Sequence, residues 1–198
     1  MLVITFCGMA ESSDYTPDPE EAVRMGSHYG PGGPVEAVFA WLELVKDGDF
    51  AIAWSRMDAN LRLCRAQAWL WNNRNDTDVA AVDMEVEAER MAAVPSTSSL
   101  WSSFAITELD QLHQTWPHRF KALTEGRLGA GSATRVLGPD LEIVLLVEGD
   151  GQPEVFDKPT MVDAMVFTVR ITGDGWKLAA YTDFIPLPGW PPQFESSG

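Results

Sequence analysis

The amino-acid sequence predicts an α+β protein, with helices packed on a curved, mainly antiparallel sheet in a cone-like roll. Three observations support this fold class. Apolar residues recur at helical spacing from Val35 to just before Pro117. Later segments are rich in β-branched and aromatic residues, and Gly173-Asp-Gly175 separates the last two of them, which is a strong hairpin signal because glycine adopts positive φ. Helices followed by antiparallel strands are typical of the α+β class.

The length and composition favour a single folded unit. A chain of 198 residues that is 45% hydrophobic and contains eight tryptophans can bury a sizeable core. A proline- and glycine-rich cluster ends at Pro34, and a second proline-rich stretch follows Ile185. We therefore expect a mobile acidic tail over residues 1–33, one α+β domain over 34–185 and an extended C-terminal tail over 186–198. His28 is expected to belong to the tail rather than to a ligand set.

The net charge is −15, from 14 Lys and Arg against 29 Asp and Glu. No cluster of basic residues is present, so direct binding to nucleic acid or to an anionic membrane surface is not expected.

The two cysteines, Cys7 and Cys64, do not suggest a disulfide framework, and no motif predicts a metal or a cofactor. The apolar start over residues 1–10 is too short for a membrane span, and Met25 is an alternative start to Met1. We expect a cytoplasmic protein.

Apolar spacing and capping residues define the predicted helices. Asp49 and Asp58 are expected to cap the second and third helices, Gly48 to end the first, and Ser98 or Ser99 to cap the last. The predicted helices are Val35–Lys46, Phe50–Met57, Ala59–Asn72, Val79–Ala93 and Trp101–Thr115.

Four regions are predicted to form strands. Thr134–Leu137 is a short strand, and Leu141–Glu148 has an unbroken apolar centre that indicates burial on both faces. Glu154–Asp157 is expected to pair briefly before the closing hairpin, Ala164–Thr182. In the last strand Lys177, Tyr181 and Asp183 share one face, and the sequence leaves open whether that face points into the molecule or out of it.

Several short segments resemble the nuclear-transport-factor-two-like superfamily, a cone of helices packed in a curved sheet. They are the opening helix, the Asp47-Gly-Asp-Phe50 break with the helical Ala51-Ile-Ala-Trp54 after it, and the closing Gly173-Asp-Gly-Trp-Lys-Leu-Ala-Ala180. The resemblance covers about residues 34–184. Its members usually have early strands where this chain has the two predicted helices between Val79 and Thr115, so no catalytic position is carried over. The resemblance implies an isomerase, a dehydratase, a cyclase or a non-catalytic binder.

A curved sheet capped by helices tends to enclose an apolar pocket with a few polar groups. The candidate binding residues are His113, His118, Tyr181 and Asp183. The two histidines flank Trp116-Pro117, and either could act as a base, or His113 could simply be a charge at a helix end. Tyr181 and Asp183 could supply a hydrogen-bond donor and a base, or could form an outward polar face or a dimer contact. The tryptophans are expected to fill the core, with Trp190 as the surface exception.

Three functions stay open at this point. The first is a non-catalytic module that binds a small apolar ligand or a protein, as a homodimer through the sheet. The second is a cofactor-independent isomerase, dehydratase or cyclase that uses His113 or His118 with Asp183 and Tyr181. The third is an adaptor whose acidic helix Val79–Ala93 binds a basic partner. An enclosed cavity with an inward His or Asp would favour the enzyme, whereas a core filled by Trp and Phe would count against it.

Overall fold

The structure is a computed structural model that describes residue 28 and residues 30–131, 135–136, 139–151, 163–182 and 184–193. Between Pro34 and Thr124 the chain forms seven helices and one 3₁₀ turn, Pro95–Thr97. The helices are α1 (Pro34–Lys46), α2 (Phe50–Ser55), α3 (Ala59–Asn72), α4 (Thr77–Ala80), α5 (Met84–Ala93), α6 (Trp101–Thr115) and α7 (Pro117–Thr124). The strands are β1 (Leu128–Ala130), β2 (Arg135–Val136), β3 (Leu141–Glu148), β4 (Ala164–Thr172) and β5 (Gly175–Ala180).

The strands form one antiparallel sheet in the order β1, β3, β4, β5, with β2 beside β1 on the same edge of β3. In the register, Leu128 lies opposite Glu148, and Val144 lies opposite Phe167. The hairpin β4–β5 pairs Thr172 with Gly175 and contains a bulge between Thr168 and Val169. The sheet is curled but not closed, and the predicted α+β class is confirmed.

The ends of α1 and α3 follow the predicted signals. Asp47 is the C-cap of α1, and Gly48 follows it with φ +85°. The Gly48 N–H donates to Val45 O, and the Asp49 N–H donates to Leu44 O, which is the Schellman pattern of bonds. At the start of α3, Asp58 Oδ1 accepts a hydrogen bond of 2.7 Å from the Leu61 N–H. Both predicted signals are confirmed.

Two helix predictions are wrong in detail. The expected helix Val79–Ala93 is two helices, because the Asp83 carboxylate accepts bonds from the Glu85 and Val86 N–H groups and so starts α5 afresh. Asp49 occupies the predicted N-cap position of α2, but its side chain makes no cap hydrogen bond. Leu100, rather than Ser98 or Ser99, occupies the N-cap position of α6.

No helix was predicted after Pro117, but the structure has one there. The chain turns at Trp116 (φ −122°, ψ 36°) and then forms α7 with Pro117 at its first position. Proline fits there because its missing N–H would have no partner in the first turn. A short strand, β1, then follows and was not predicted. The predicted pairing of Glu154–Asp157 lies outside the described residues.

Aromatic rings fill the centre of the fold. Trp41, Trp54, Phe104 and Phe167 are at most 1% exposed. The Phe104 ring lies 5.0 to 6.2 Å, between ring centroids, from four other rings, those of Phe50, Trp54, Trp69 and Trp101. Trp190 also packs against this core, so it is not the exposed tryptophan that was expected. Successive residues Val144–Val147 of β3 are all buried, which confirms burial on both faces of this strand.

Segments near both ends of the described chain are docked on the domain. His28 is 4% exposed, and its Nδ1 lies 2.6 Å from Glu142 Oε2 on β3, so this residue belongs to the folded part rather than to a tail. Near the C-terminus, the Asn60 side chain donates to Pro186 O over 2.8 Å. The Gly189 N–H donates to Gln67 Oε1 over 3.0 Å. Residues 186–189 are therefore held along α3.

The link between α2 and α3, residues 56–58, runs along the outer edge of β5. The Asp58 N–H donates to Leu178 O over 2.7 Å, and the Leu178 N–H donates to Arg56 O over 2.9 Å. Met57 thereby forms a parallel bridge with Leu178. The helical layer and the sheet are thus joined by backbone hydrogen bonds as well as by apolar packing.

Candidate functional site

A cleft of about 730 Å³ opens where the corner between α6 and α7 meets the ends of β3, β4 and β5. The corner supplies Thr115, Trp116, His118 and Arg119. The sheet supplies Glu148 from β3, residues 163–166 at the start of β4, and Tyr181 and Thr182 just after β5. The position follows from the Trp116-Pro117 turn, which ends one helix and places the next two polar residues in the first turn of α7.

Aromatic side chains form the inner wall of the cleft. The Trp116 and Tyr181 rings meet edge to face, with centroids 5.7 Å apart and an interplanar angle of 85°. Tyr181 in turn stacks on the buried Trp41 at 5.6 Å and 17°. Met165 and Val166 of β4 complete the apolar surface. Such packing fixes the orientation of the two rings, since each is in contact with the core.

Charged side chains form the rim. The Arg119 guanidinium is 15% exposed; its Nη2 lies 2.7 Å from Asp163 Oδ2 and donates over 3.2 Å to the Asp163 carbonyl. Its Nη1 lies 3.8 Å from Glu148 Oε2, which is beyond hydrogen-bond distance. The other Glu148 oxygen accepts from Arg127 outside the cleft. The Arg127 guanidinium lowers the pKa of Glu148, which is therefore a carboxylate at neutral pH.

A buried charged pair lies behind Tyr181. Arg65 Nε donates to Glu108 Oε2 over 2.8 Å, and the Arg65 Nη2 lies 2.6 Å from the same oxygen. The Arg65 guanidinium carbon lies 5.5 Å from the centroid of the Tyr181 ring, a cation–π distance. Burial raises the pKa of the Tyr181 hydroxyl, so it stays protonated at physiological pH. This hydroxyl is buried and has no hydrogen-bond partner in the described part of the chain.

Sequence reasoning missed this charged pair. Glu108 lies four residues after Phe104 and four before Leu112, both of which belong to the predicted apolar stripe of α6. Residues at this spacing share one helix face, so a carboxylate in the middle of the stripe signals a buried charge that needs a cation nearby. That signal could have identified Glu108, but it could not have identified Arg65 as its partner.

The structure brings together only part of the predicted site. His118 and Tyr181 both line the cleft. His113 does not, because its Nε2 lies 2.8 Å from Val45 O and its ring packs edge-on against Phe120 at 5.3 Å. Asp183 lies outside the described residues. Lys177 is at the other end of β5, where its Nζ donates to Ser55 O over 3.1 Å, so it is remote from Tyr181.

A second charged cluster lies at the start of α3, away from the cleft. The side chain of Asp58 is 5% exposed, and its Oδ2 lies 3.7 Å from Arg170 Nη1. The Nε of Arg170 lies 3.5 Å from Asp140 Oδ2. Burial raises the pKa of Asp58, and the hydrogen bond from the Leu61 N–H, Arg170 and Arg62 partly offset this effect. Burial lowers the pKa of Arg62. This cluster joins the start of α3 to β4.

Two kinds of feature are absent from the described ranges, a cluster of metal ligands and a membrane-spanning helix. There, no three His, Cys, Asp or Glu side chains lie close enough together to hold a metal ion. Within the same ranges no helix is both long and apolar enough to cross a membrane. Comparison with known proteins finds no matching family model, no matching curated protein and no matching solved structure.

Proposed function

We propose that the protein is a non-catalytic module that binds a small, largely apolar ligand in the cleft beside Trp116 and Tyr181. The observation that carries this proposal is the cleft itself. Its volume of about 730 Å³ falls within the usual range for small-molecule sites, about 300–1,000 Å³. An aromatic and aliphatic wall is usual at such sites, and here it is combined with polar and charged side chains at the rim.

The same geometry disfavours catalysis by two of the predicted groups, Tyr181 and His113. The centre of the fold is filled by aromatic side chains, and the cleft is open to solvent rather than enclosed. Tyr181 turns its hydroxyl into the protein, and His113 is bound to the Val45 carbonyl. General acid–base catalysis needs a titrating group within reach of the substrate, and neither residue meets that need.

Filling the cleft provides the test. Ala164 lines the cleft on β4, so Ala164→Trp should occupy much of its volume. Ile171→Trp is the matched control, because it adds the same ring at a residue of the same strand that is 40% exposed and does not line the cleft. Native mass spectrometry of freshly purified protein should detect a bound small molecule on the wild type and on the control. Ala164→Trp should lose it. Wild-type protein that carries no added mass, or equal retention by Ala164→Trp, would contradict the proposal.

An enzyme of the isomerase, dehydratase or cyclase type is the second candidate. The observation that favours it is the presence of a histidine, His118, and a carboxylate, Glu148, in one cleft. Membership in the nuclear-transport-factor-two-like superfamily, which is also a proposal, would support an enzyme of this type. If the native ligand identified by mass spectrometry is converted by the wild type, the rate should fall at least about a hundredfold in His118→Gln, the usual size of a general-base contribution. Unchanged ligand after prolonged incubation would exclude this candidate.

Three further parts of the proposal concern partners and location. A homodimer through the sheet, a protein-binding role and a cytoplasmic location stay predictions. The same native mass spectrum reports the oligomeric state directly, so a species of twice the chain mass at low micromolar concentration would support the dimer. A monomer throughout that range would argue against it.

A further inference from the structure

Arg119 Nη1 and Glu148 Oε2 lie side by side at the rim of the cleft without bonding to each other. They are 3.8 Å apart, which is too far for a direct hydrogen bond. Within the described part of the chain, Nη1 donates to no acceptor and Oε2 accepts from no donor. Because both residues line the cleft, the pair offers a ligand one donor and one acceptor.

Contacts to other residues keep this spacing. Arg119 Nη2 lies 2.7 Å from Asp163 Oδ2 and donates to the Asp163 carbonyl over 3.2 Å. Glu148 Oε1 accepts from Arg127, whose Nη2 in turn lies 2.7 Å from Glu125 Oε2. A direct hydrogen bond between Arg119 and Glu148 would therefore have to pull at least one of them away from a contact that it already has.

The charges at this part of the rim compensate one another. Arg119 has two carboxylates nearby, those of Asp163 at 2.7 Å and Glu148 at 3.8 Å. Glu148 is paired with two guanidiniums, those of Arg119 and Arg127. A ligand carboxylate would approach Glu148, and a ligand ammonium would approach Arg119, so either charge would meet its like. The rim therefore favours an uncharged ligand that has both a hydrogen-bond acceptor and a donor.

We propose that the ligand presents the edge of an uncharged amide, a primary carboxamide or a lactam, in which the carbonyl oxygen and an N–H point the same way. This inference rests on the proposed function. The oxygen accepts from Arg119 Nη1, and the N–H donates to Glu148 Oε2. The oxygen and nitrogen of such an amide are about 2.2 Å apart, given its C=O and C–N bond lengths. Hydrogen bonds of about 2.9 Å that each diverge by about 15° then reach two atoms at the 3.8 Å spacing.

Apolar side chains near this pair can hold the rest of the ligand. Trp116 precedes Arg119 by three residues, about one helical turn. Met165 lies opposite Leu146 in the sheet, and Leu146 is two residues before Glu148, so Met165 and Glu148 share one face. Trp116 and Met165 both line the cleft. An aromatic ring attached to the amide therefore has two apolar surfaces to pack against.

Four compounds with one ring system and one planar shape provide the test. We would measure dissociation constants by isothermal titration calorimetry for 2-naphthamide, 2-acetylnaphthalene, 2-naphthoate and 2-naphthamidine. The amide should bind about tenfold more tightly than the ketone, which keeps the acceptor but replaces the donor by a methyl group. The amide should also bind more tightly than the carboxylate, which lacks the donor, and than the amidinium, which lacks the acceptor.

A matched pair of variants tests the acceptor of the site. Glu148→Met should weaken amide binding about tenfold, to the level of the ketone, because it removes the oxygen that receives the N–H. Ketone binding should change by less than about twofold, which also shows that the variant is folded. Glu125→Met is the control, because Glu125 also binds Arg127 but does not line the cleft. It should leave both constants within about twofold of the wild type.

A second pair tests the donor. Arg119→Met should weaken the amide and the ketone alike, about tenfold each, since both use its N–H. Lys121→Met is the control, because it removes the same charge from the same helix at an exposed residue that does not line the cleft. It should leave both constants within about twofold of the wild type.

The outcomes separate this inference from the proposed function. Equal or tighter binding of the ketone or of either ion, with binding abolished by Ala164→Trp, would overturn the amide and leave the ligand site standing. Equal loss of amide binding in Glu148→Met and Glu125→Met would also overturn it. If none of the four compounds binds, the amide is overturned. The ligand site then falls as well only if native mass spectrometry finds no bound small molecule.

Discussion

The Arg65–Glu108 ion pair shows how each buried charge depends on the other. Each charge alone would be costly in the apolar interior, and together they are held at 2.6 Å between Nη2 and Oε2. Burial raises the pKa of the Glu108 carboxyl, and Arg65 partly offsets that effect. The pair also holds the guanidinium beside Tyr181, so it supports the wall of the cleft from behind.

Removing one member of this pair should therefore be costly. Glu108→Gln removes the carboxylate charge that Arg65 binds, and we expect the free energy of unfolding to fall by about 3 kcal/mol. Urea denaturation measures the change. Glu89→Gln is the control, because Glu89 is exposed on α5, and its effect should be within about 0.5 kcal/mol. Equal effects in the two variants would show that the Arg65–Glu108 pair contributes nothing to stability.

Asp58 should give the stability a characteristic dependence on pH. Because burial raises its folded-state pKa above 3.8, the native state binds the proton more strongly than the unfolded chain does. The contribution of Asp58 to the free energy of unfolding therefore falls as the pH rises from about 3.8 through the folded-state pKa.

The Asp58→Asn variant isolates this effect, since asparagine does not titrate and is also a good N-cap for α3. The difference in free energy of unfolding, wild type minus variant, should decrease between about pH 3.5 and about pH 7. Denaturant titrations of both proteins across that range measure it. A difference that increases with pH would mean that the Leu61 hydrogen bond, Arg170 and Arg62 outweigh burial and hold the folded-state pKa below its unfolded value.

At the scale of the secondary-structure elements, the closing hairpin requires a glycine at one of its two glycine positions. Its two glycines look equivalent in the sequence, but only Gly175 has positive φ, at +94°. A side chain at such a backbone conformation costs about 1–2 kcal/mol. Neither glycine has an atom within 4 Å of the place where a Cβ would lie, so crowding plays no part at either position.

The two glycine variants thus form a matched pair. Gly175→Ala should lower the free energy of unfolding by about 1 kcal/mol, and Gly173→Ala should change it by less than about 0.5 kcal/mol. Thermal and urea denaturation of the two variants, side by side, measure the difference. If Gly173→Ala were the more destabilising variant, the residue with positive φ in this turn would be Gly173.

Helix ends show what local sequence can and cannot predict. Gly48 and Asp58 were predicted correctly because each acts within one turn of its own position. Pro117 misled the prediction, since proline ends one helix and equally well begins another. Only the packing of Phe120 and Ala122 into the interior, which is tertiary information, shows that the second helix forms.

At the scale of the whole molecule, the aromatic core should dominate stability. Phe104 contacts four other rings and is fully buried, so Phe104→Ala should lower the free energy of unfolding by about 4 kcal/mol. Ile106→Ala, two residues away on the same helix, removes a side chain that is 63% exposed and should cost less than about 1 kcal/mol. Chemical denaturation compares them, and similar costs would show that the core tolerates the cavity.

The fold class and the strands β3 to β5 could be predicted because periodicity and turn residues are local signals. The cleft could be predicted only in part. His118 and Tyr181 were identified as polar or aromatic groups near structural breaks, whereas Arg119 and Glu148 were not. These two residues are 29 positions apart in sequence and face one cleft only after α7 packs beside the sheet. No sequence pattern predicts that these two side chains line the same cleft.

The link that runs beside β5 has a consequence for the behaviour of the protein in a crowded solution. An uncovered outer strand can recruit a strand from another chain and so begin aggregation. Here residues 56–58 already satisfy both backbone groups of Leu178, in the middle of the outer strand. The protein therefore shields this border of its sheet with a segment of its own chain, and loosening that segment would expose a template for intermolecular β-structure.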